Sequence, residues 1–280
     1  MSREKLAAVT IVLTYFLIVF GGYVASSESG MGCGPEWPLC NGEVIPELQG
    51  ETLIEFGHRV IGAVLFVLSI VLFVKVKKEK GSKQEKLVAN WMIGLLTLQL
   101  IAGAIVVFYH LPSIVITIHL LIAMIFMSIL TWFWRLTYTR IQLKNHSRIK
   151  KHLSFLATLL FITMALGAYI KHQHYGMACG YLECNDRVLP TTWPEFLQSS
   201  HRLFAFLSTI YILFLSVKVF SIGNNRLNIR MILALIIILV QLIIGVMTIV
   251  STIAISFAVL HLAAATLLFA IVIETRIVMD

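Results

Sequence analysis

The chain has 280 residues, of which 59% are hydrophobic and 13% charged, with a formal net charge of +8. Soluble domains carry about 25% charged residues, and disordered chains are poor in apolar ones, so both classes are excluded. A mean hydropathy of +0.90 leaves a polytopic membrane protein, in which a basic excess reads as membrane orientation rather than nucleic-acid binding.

A spanning helix needs about 20 mostly apolar residues. Eight runs qualify: 6–24, 54–74, 87–108, 114–134, 153–171, 199–219, 231–250 and 254–275. Each is continuously apolar, whereas barrel strands alternate over about ten residues, so an all-α protein is expected. Ser2-Arg3-Glu4-Lys5 before the first run has the flavour of a signal peptide. That run is longer than a usual signal core, and the repeat described below needs it as a span.

Basic residues set the orientation. The N-terminus, the 75–86, 135–152 and 218–230 segments and the C-terminus hold 18 of the 22, and only Arg59, Lys171, Arg187 and Arg202 fall on the other side. Both termini are therefore expected in the cytoplasm. The two long loops, about 25–53 and 172–198, lie outside and hold all four cysteines. Thiols outside a membrane tend to oxidise, so one local disulfide per loop is expected, Cys33–Cys40 and Cys179–Cys184. Neither spacing is CxxC, which favours a staple over a redox pair or a zinc site.

The halves repeat at an offset of about 142 to 146. Gly32-Cys33-Gly34 matches Ala178-Cys179-Gly180, and His58-Arg59 matches His201-Arg202. Gln99 to Gly103 matches Gln241 to Gly245, and His119-Leu120 matches His261-Leu262. Four spans per half is an even number, so the repeat is parallel. Two tandem four-helix bundles are expected, 1–145 and 146–280, each with its site among inward-facing side chains.

Of nine histidines, His58, His119, His201 and His261 lie in apolar runs, where ionisable groups are costly and usually functional. All four are duplicated, and at about 1.5 Å per residue all belong to the outer half of the bilayer. Each half thus offers two imidazoles from two parallel helices. Zinc and copper want three or four ligands, whereas haem iron needs only axial ones. The expectation is one haem site per half, with these histidines as iron ligands. Arg59 and Arg202 follow two of them and have two readings: partners of haem propionates, or side chains reaching the interface.

One position breaks the repeat. Three residues before the histidine, the first half has Glu55 and the second Gln198. A carboxylate there can favour a helix N-terminus or move protons beside the site. On the second reading, the first half does chemistry and the second holds a fixed cofactor.

Gly21-Gly22-Tyr23-Val24, Ser29-Gly30-Met31-Gly32-Cys33, Glu36-Trp37-Pro38-Leu39-Cys40, Glu55-x-x-His58-Arg59, His119, His201-Arg202 and His261 together resemble the heme A synthase family. The resemblance covers nearly the whole chain. It implies oxidation of the C8 methyl group of heme O to a formyl group through the alcohol and the gem-diol, giving heme A for terminal cytochrome oxidase. It also implies haem b on His201 and His261, with substrate heme O near His58 and His119 and Glu55 assisting. The same likeness implies a redox link for the Cys33–Cys40 pair. A heme O synthase is implied as a partner by analogy, and an electron carrier must exist that no motif identifies. The rival readings are a di-haem cytochrome b that passes electrons from quinol, and a haem exporter or chaperone.

Overall fold

The computed structural model describes residues 1–137, 147–180, 184 and 189–279. Every apolar run forms a helix: α1 Arg3–Ser26, α2 Gly50–Lys78, α3 Lys83–Phe108, α4 Ser113–Thr137, α5 Ser147–His172, α6 Trp193–Phe220, α7 Asn225–Val250 and α8 Ile255–Val278. All eight are long and apolar enough to span a bilayer, and among the described residues there is no strand. This is a multi-pass membrane protein. The expected boundary at 145/146 and Arg187 lie outside the described residues.

The helices overrun their apolar runs because backbone hydrogen bonding must stay internal up to the lipid boundary. α2 begins four residues before its run and ends with Lys75, Lys77 and Lys78 in its last turn, where cations suit the dipole. The start of α3 is set by a capping box between Ser82 and Glu85, and that of α6 by one between Thr192 and Glu195 with Pro194 in the first turn. Each box satisfies amides that the helix leaves free.

The chain divides into two compact units, Met1–Arg140 and Ile141–Asp280. In the first, α1 packs on α2 and α4, and α3 packs on α2 and α4, closing a ring of four helices. In the second, α5 packs on α6 and α8, and α7 packs on α6 and α8. Large apolar side chains such as Val67, Ile101 and Leu260 are exposed, as lipid-facing positions must be.

The tight core of each unit fills only one half of its length. In the first unit Leu6, Leu72, Val76, Val88, Met92, Phe126 and Phe133 interlock. These are the start of α1 and α3 and the end of α2 and α4, the end that bears the lysines. The matching core of the second unit includes Leu153, Leu156, Ile212, Leu215, Val219 and Phe269. The four histidines lie toward the opposite end. Several core hydroxyls bond back along their own helix, as Thr10 does to the Leu6 carbonyl and Ser69 to the Leu65 carbonyl, both at 2.8 Å.

Candidate functional site

One local rule places all four histidines. Each projects from an even-numbered helix toward a glycine on the helix before it. A Cβ on Gly21 would stand 3.1 Å from His58 Nε2, and one on Gly103 would stand 3.1 Å from His119 Cε1. A Cβ on Gly167 would stand 2.7 Å from His201 Cε1, and one on Gly245 would stand 3.0 Å from His261 Cε1. Small residues let helices and side chains approach closely inside a membrane bundle. Here the missing Cβ is the space the imidazole uses.

In the second unit the rings of His201 and His261 have centroids 6.5 Å apart and planes at 65°. His201 Nδ1 donates to the Thr163 carbonyl at 2.9 Å, which leaves Nε2 with its lone pair. In the first unit His58 and His119 are near enough to interact electrostatically, and Phe20 packs against His58 with centroids 6.0 Å apart. Gln99 Nε2 donates to His119 Nε2, and Gln241 Nε2 to His261 Nε2, both at 3.1 Å. The Nδ1 atoms of His119 and His261 are buried without a hydrogen-bond partner.

These residues fit a haem iron. Among the described residues no group of three or more His, Cys, Asp or Glu side chains is placed to hold a bare metal ion, but a porphyrin supplies four ligands itself. An imidazole–metal bond is about 2 Å, so two imidazoles sharing one ion through opposed nitrogens have centroids roughly 6 Å apart. The 6.5 Å of His201 and His261 meets that spacing. The ring angle is compatible, because each imidazole can turn about its own bond. The carbonyl behind His201 is the type of partner that orients a ligating histidine.

Above each pair, the cysteine loop is tied to the helix that carries the first histidine. Cys33 is bonded to Cys40, and Cys179 to Cys184, as expected from the sequence. Glu55 is 4% exposed, and its Oε2 accepts from the Cys33 amide at 2.7 Å. Its Oε1 accepts from Arg59 Nε and Nη2, while Arg59 Nη1 donates to the Leu39 carbonyl at 2.8 Å. In the second unit Gln198 accepts from the Cys179 amide at 2.6 Å and donates to the Gly176 carbonyl. Arg202 donates to the Gly180 carbonyl at 2.8 Å.

The structure thus gives Arg59 a partner that neither sequence reading named. Its charge compensates Glu55, and both residues clamp the Cys33–Cys40 loop. Glu55 has work beyond the helix dipole, and that work is shared by its neutral counterpart. Sequence reasoning assigned no role to the four glycines or to Gln99, Gln241 and Thr163. The duplicated Gln-x-x-x-Gly at 99–103 and 241–245 was a usable signal, because residues four apart share a helix face.

Comparison with known proteins gives a consistent picture. The family model described as cytochrome oxidase assembly protein (COX15-CtaA) matches residues 4–51 and 47–273. A heme A synthase of Macrococcus caseolyticus is 28% identical over 96% of this chain and 95% of its own length. One of Bacillus licheniformis is 28% identical over 96% and 93%. One of Symbiobacterium thermophilum is 30% identical over 70% and 68%.

Proposed function

The chain belongs to the COX15-CtaA family of cytochrome oxidase assembly proteins, and from that premise we propose that it is a heme A synthase. It is a membrane oxidoreductase that converts the C8 methyl group of heme O to the formyl group of heme A, for use by terminal cytochrome oxidase. The observation that carries this reading is the repeated histidine pair with a carboxylate beside only one of its two copies.

In this reading His201 and His261 hold haem b, and His58 and His119 hold the substrate heme O. Bound iron supplies the one-electron chemistry that an inert methyl group requires. The protein's own residues do the rest. The glycines facing each ring fix its depth in the bundle, and Thr163 keeps His201 in the tautomer with a free Nε2. Glu55 stands one turn before His58 on the same helix and is the group placed to take protons released as the methyl carbon is oxidised. Arg59 holds that carboxylate in position. Heme O arrives from a heme O synthase, water supplies the formyl oxygen, and the electrons released leave through a separate carrier. The positive-inside pattern puts the disulfide loops, and so both haem sites, on the outer side of the cell membrane.

The test is extraction and mass analysis of haems after expression with a heme O supply. Conversion of methyl to formyl is the expected result. Purified protein that changes only haem redox state would instead identify an electron-passing cytochrome, and release of unaltered haem a carrier.

A further inference from the structure

The two units neutralise their basic ends differently. In the first, Arg3 pairs with Glu79 and Glu85, and Lys75 pairs with Glu79, at 3.0 to 3.1 Å. The second has fewer acids with which to do the same: Glu274 and Asp280, the latter outside the described residues. No Asp or Glu occurs between Glu85 and Glu183, or between Glu195 and Glu274, and Glu274 is taken by Arg230. At this end α5 and α6 frame a cavity of about 460 Å³ whose polar lining is Ser147, Arg148, His152, Lys218 and Ser221. Among the described residues no carboxylate lines it.

Helix physics makes the deficit sharper. A helix N-terminus carries partial positive charge and free amides. The first turn of α5 has no acidic residue, and instead Arg148 and Lys151 fall within its first five positions. That is the reverse of the stabilising arrangement, and an anion at this point relieves both the dipole and the cations. Two of the lining side chains, those of His152 and Lys218, are also held in place. His152 Nδ1 is hydrogen-bonded to the Tyr211 hydroxyl at 2.6 Å, which leaves Nε2 for another partner. The Lys218 ammonium sits 4.5 Å over the Phe214 ring. The Ser221 hydroxyl donates to the Lys218 carbonyl. Membrane orientation alone asks for positive charge on this side. It does not ask for that charge to converge on a cavity whose described lining holds no carboxylate.

We propose that this cavity binds a phosphate group, supplied by the headgroup of an anionic phospholipid in the adjoining leaflet. Basic pockets between spanning helices on the cytoplasmic side suit such headgroups, and two hydroxyls beside an arginine and a lysine suit phosphate oxygens. The site is separate from the histidine pairs, which lie toward the other end of their bundle.

The test uses the full-length protein in detergent, with native mass spectrometry counting retained lipid. Phosphatidylglycerol, phosphatidylcholine and inorganic phosphate are offered separately, and haem content serves as the folding control. Wild-type protein is expected to retain phosphatidylglycerol over phosphatidylcholine. Losing two charges that face a phosphate should cut that retention by roughly tenfold or more. The variant is Arg148→Gln with Lys218→Gln. Lys151→Gln, exposed and outside the cavity lining, should leave retention unchanged. If the double variant misfolds, Lys218→Gln alone should weaken retention and Lys218→Arg should restore it. Thermal stabilisation by inorganic phosphate that is lost in the same variants would keep the phosphate site but assign it to the free ion. Equal retention of the two lipids, or equal loss in Lys151→Gln, overturns the proposal.

Discussion

Glu55 and Gln198 occupy matching positions and perform one shared task, accepting the amide of the first cysteine in the loop above. What differs is charge, and Arg59 is present to balance it. Glu55→Gln therefore separates structure from chemistry, because a glutamine keeps the Cys33 bond as Gln198 keeps that of Cys179. Heme A formation is expected to fall by about 10²- to 10⁴-fold, the usual worth of a positioned proton acceptor, while haem b content is unchanged. Full activity in this variant would reduce Glu55 to a loop clamp. The glycines allow a second test at this scale. Gly167→Ala places a methyl 2.7 Å from His201 Cε1, so the ring must shift. Overpacking costs about 1–3 kcal/mol, and the expected readout is loss of haem b measured from the extracted pigment, with the helical spectrum retained. Undiminished haem b would show that the glycine does not set the ligand's position.

At the scale of elements, the helices were legible because twenty apolar residues in a row admit few other structures in a bilayer. Their ends were not, because ends are decided by capping groups rather than by hydropathy. The pairing of α7 with α8 was equally hidden. Arg230 donates to both oxygens of Glu274, at 2.6 and 3.0 Å, across 44 residues of sequence. Both side chains are about one-fifth exposed, so the pair lies between the exposed and buried limits. Glu274→Ala is expected to cost about 1–3 kcal/mol, read as a lower midpoint in thermal unfolding. A double-mutant cycle with Arg230→Ala should recover most of that loss. The second disulfide provides a contrast. Replacing Cys179 and Cys184 by serine should cost about 2 kcal/mol, as expected for closing so short a loop. It should leave heme A formation intact, whereas a redox role would make activity collapse.

At the scale of the molecule, the repeat has one consequence that its parts do not. Each unit packs its core at the lysine-bearing end and keeps histidines and glycines at the other. Within each unit the histidines therefore lie at the end that bears that unit's disulfide loop. Reporter fusions test which side of the bilayer that end faces. A cytoplasm-dependent reporter after Gly81 or at the C-terminus is expected to be active, and one inserted near Val44 inactive. The opposite pattern would invert the topology and move both proposed haem sites to the cytoplasmic side.

Hydropathy, charge bias and a duplicated pattern were enough to specify an all-helical membrane chain of eight spans. The four histidines stood out because an ionisable group in an apolar run has to be justified energetically. Both disulfides followed from local spacing. Those properties are one-dimensional: length, sign of charge and interval. Tertiary packing decided what a histidine faces, that Glu55 and Arg59 reach the cysteine loop, and that Gln99 and Gln241 reach the histidines of the next helix. Such contacts join residues about 20 or more apart, and only the approach of one helix to another selects them. The same packing gathered Arg148, His152 and Lys218 around one cavity, where the sequence showed only a scattered basic excess.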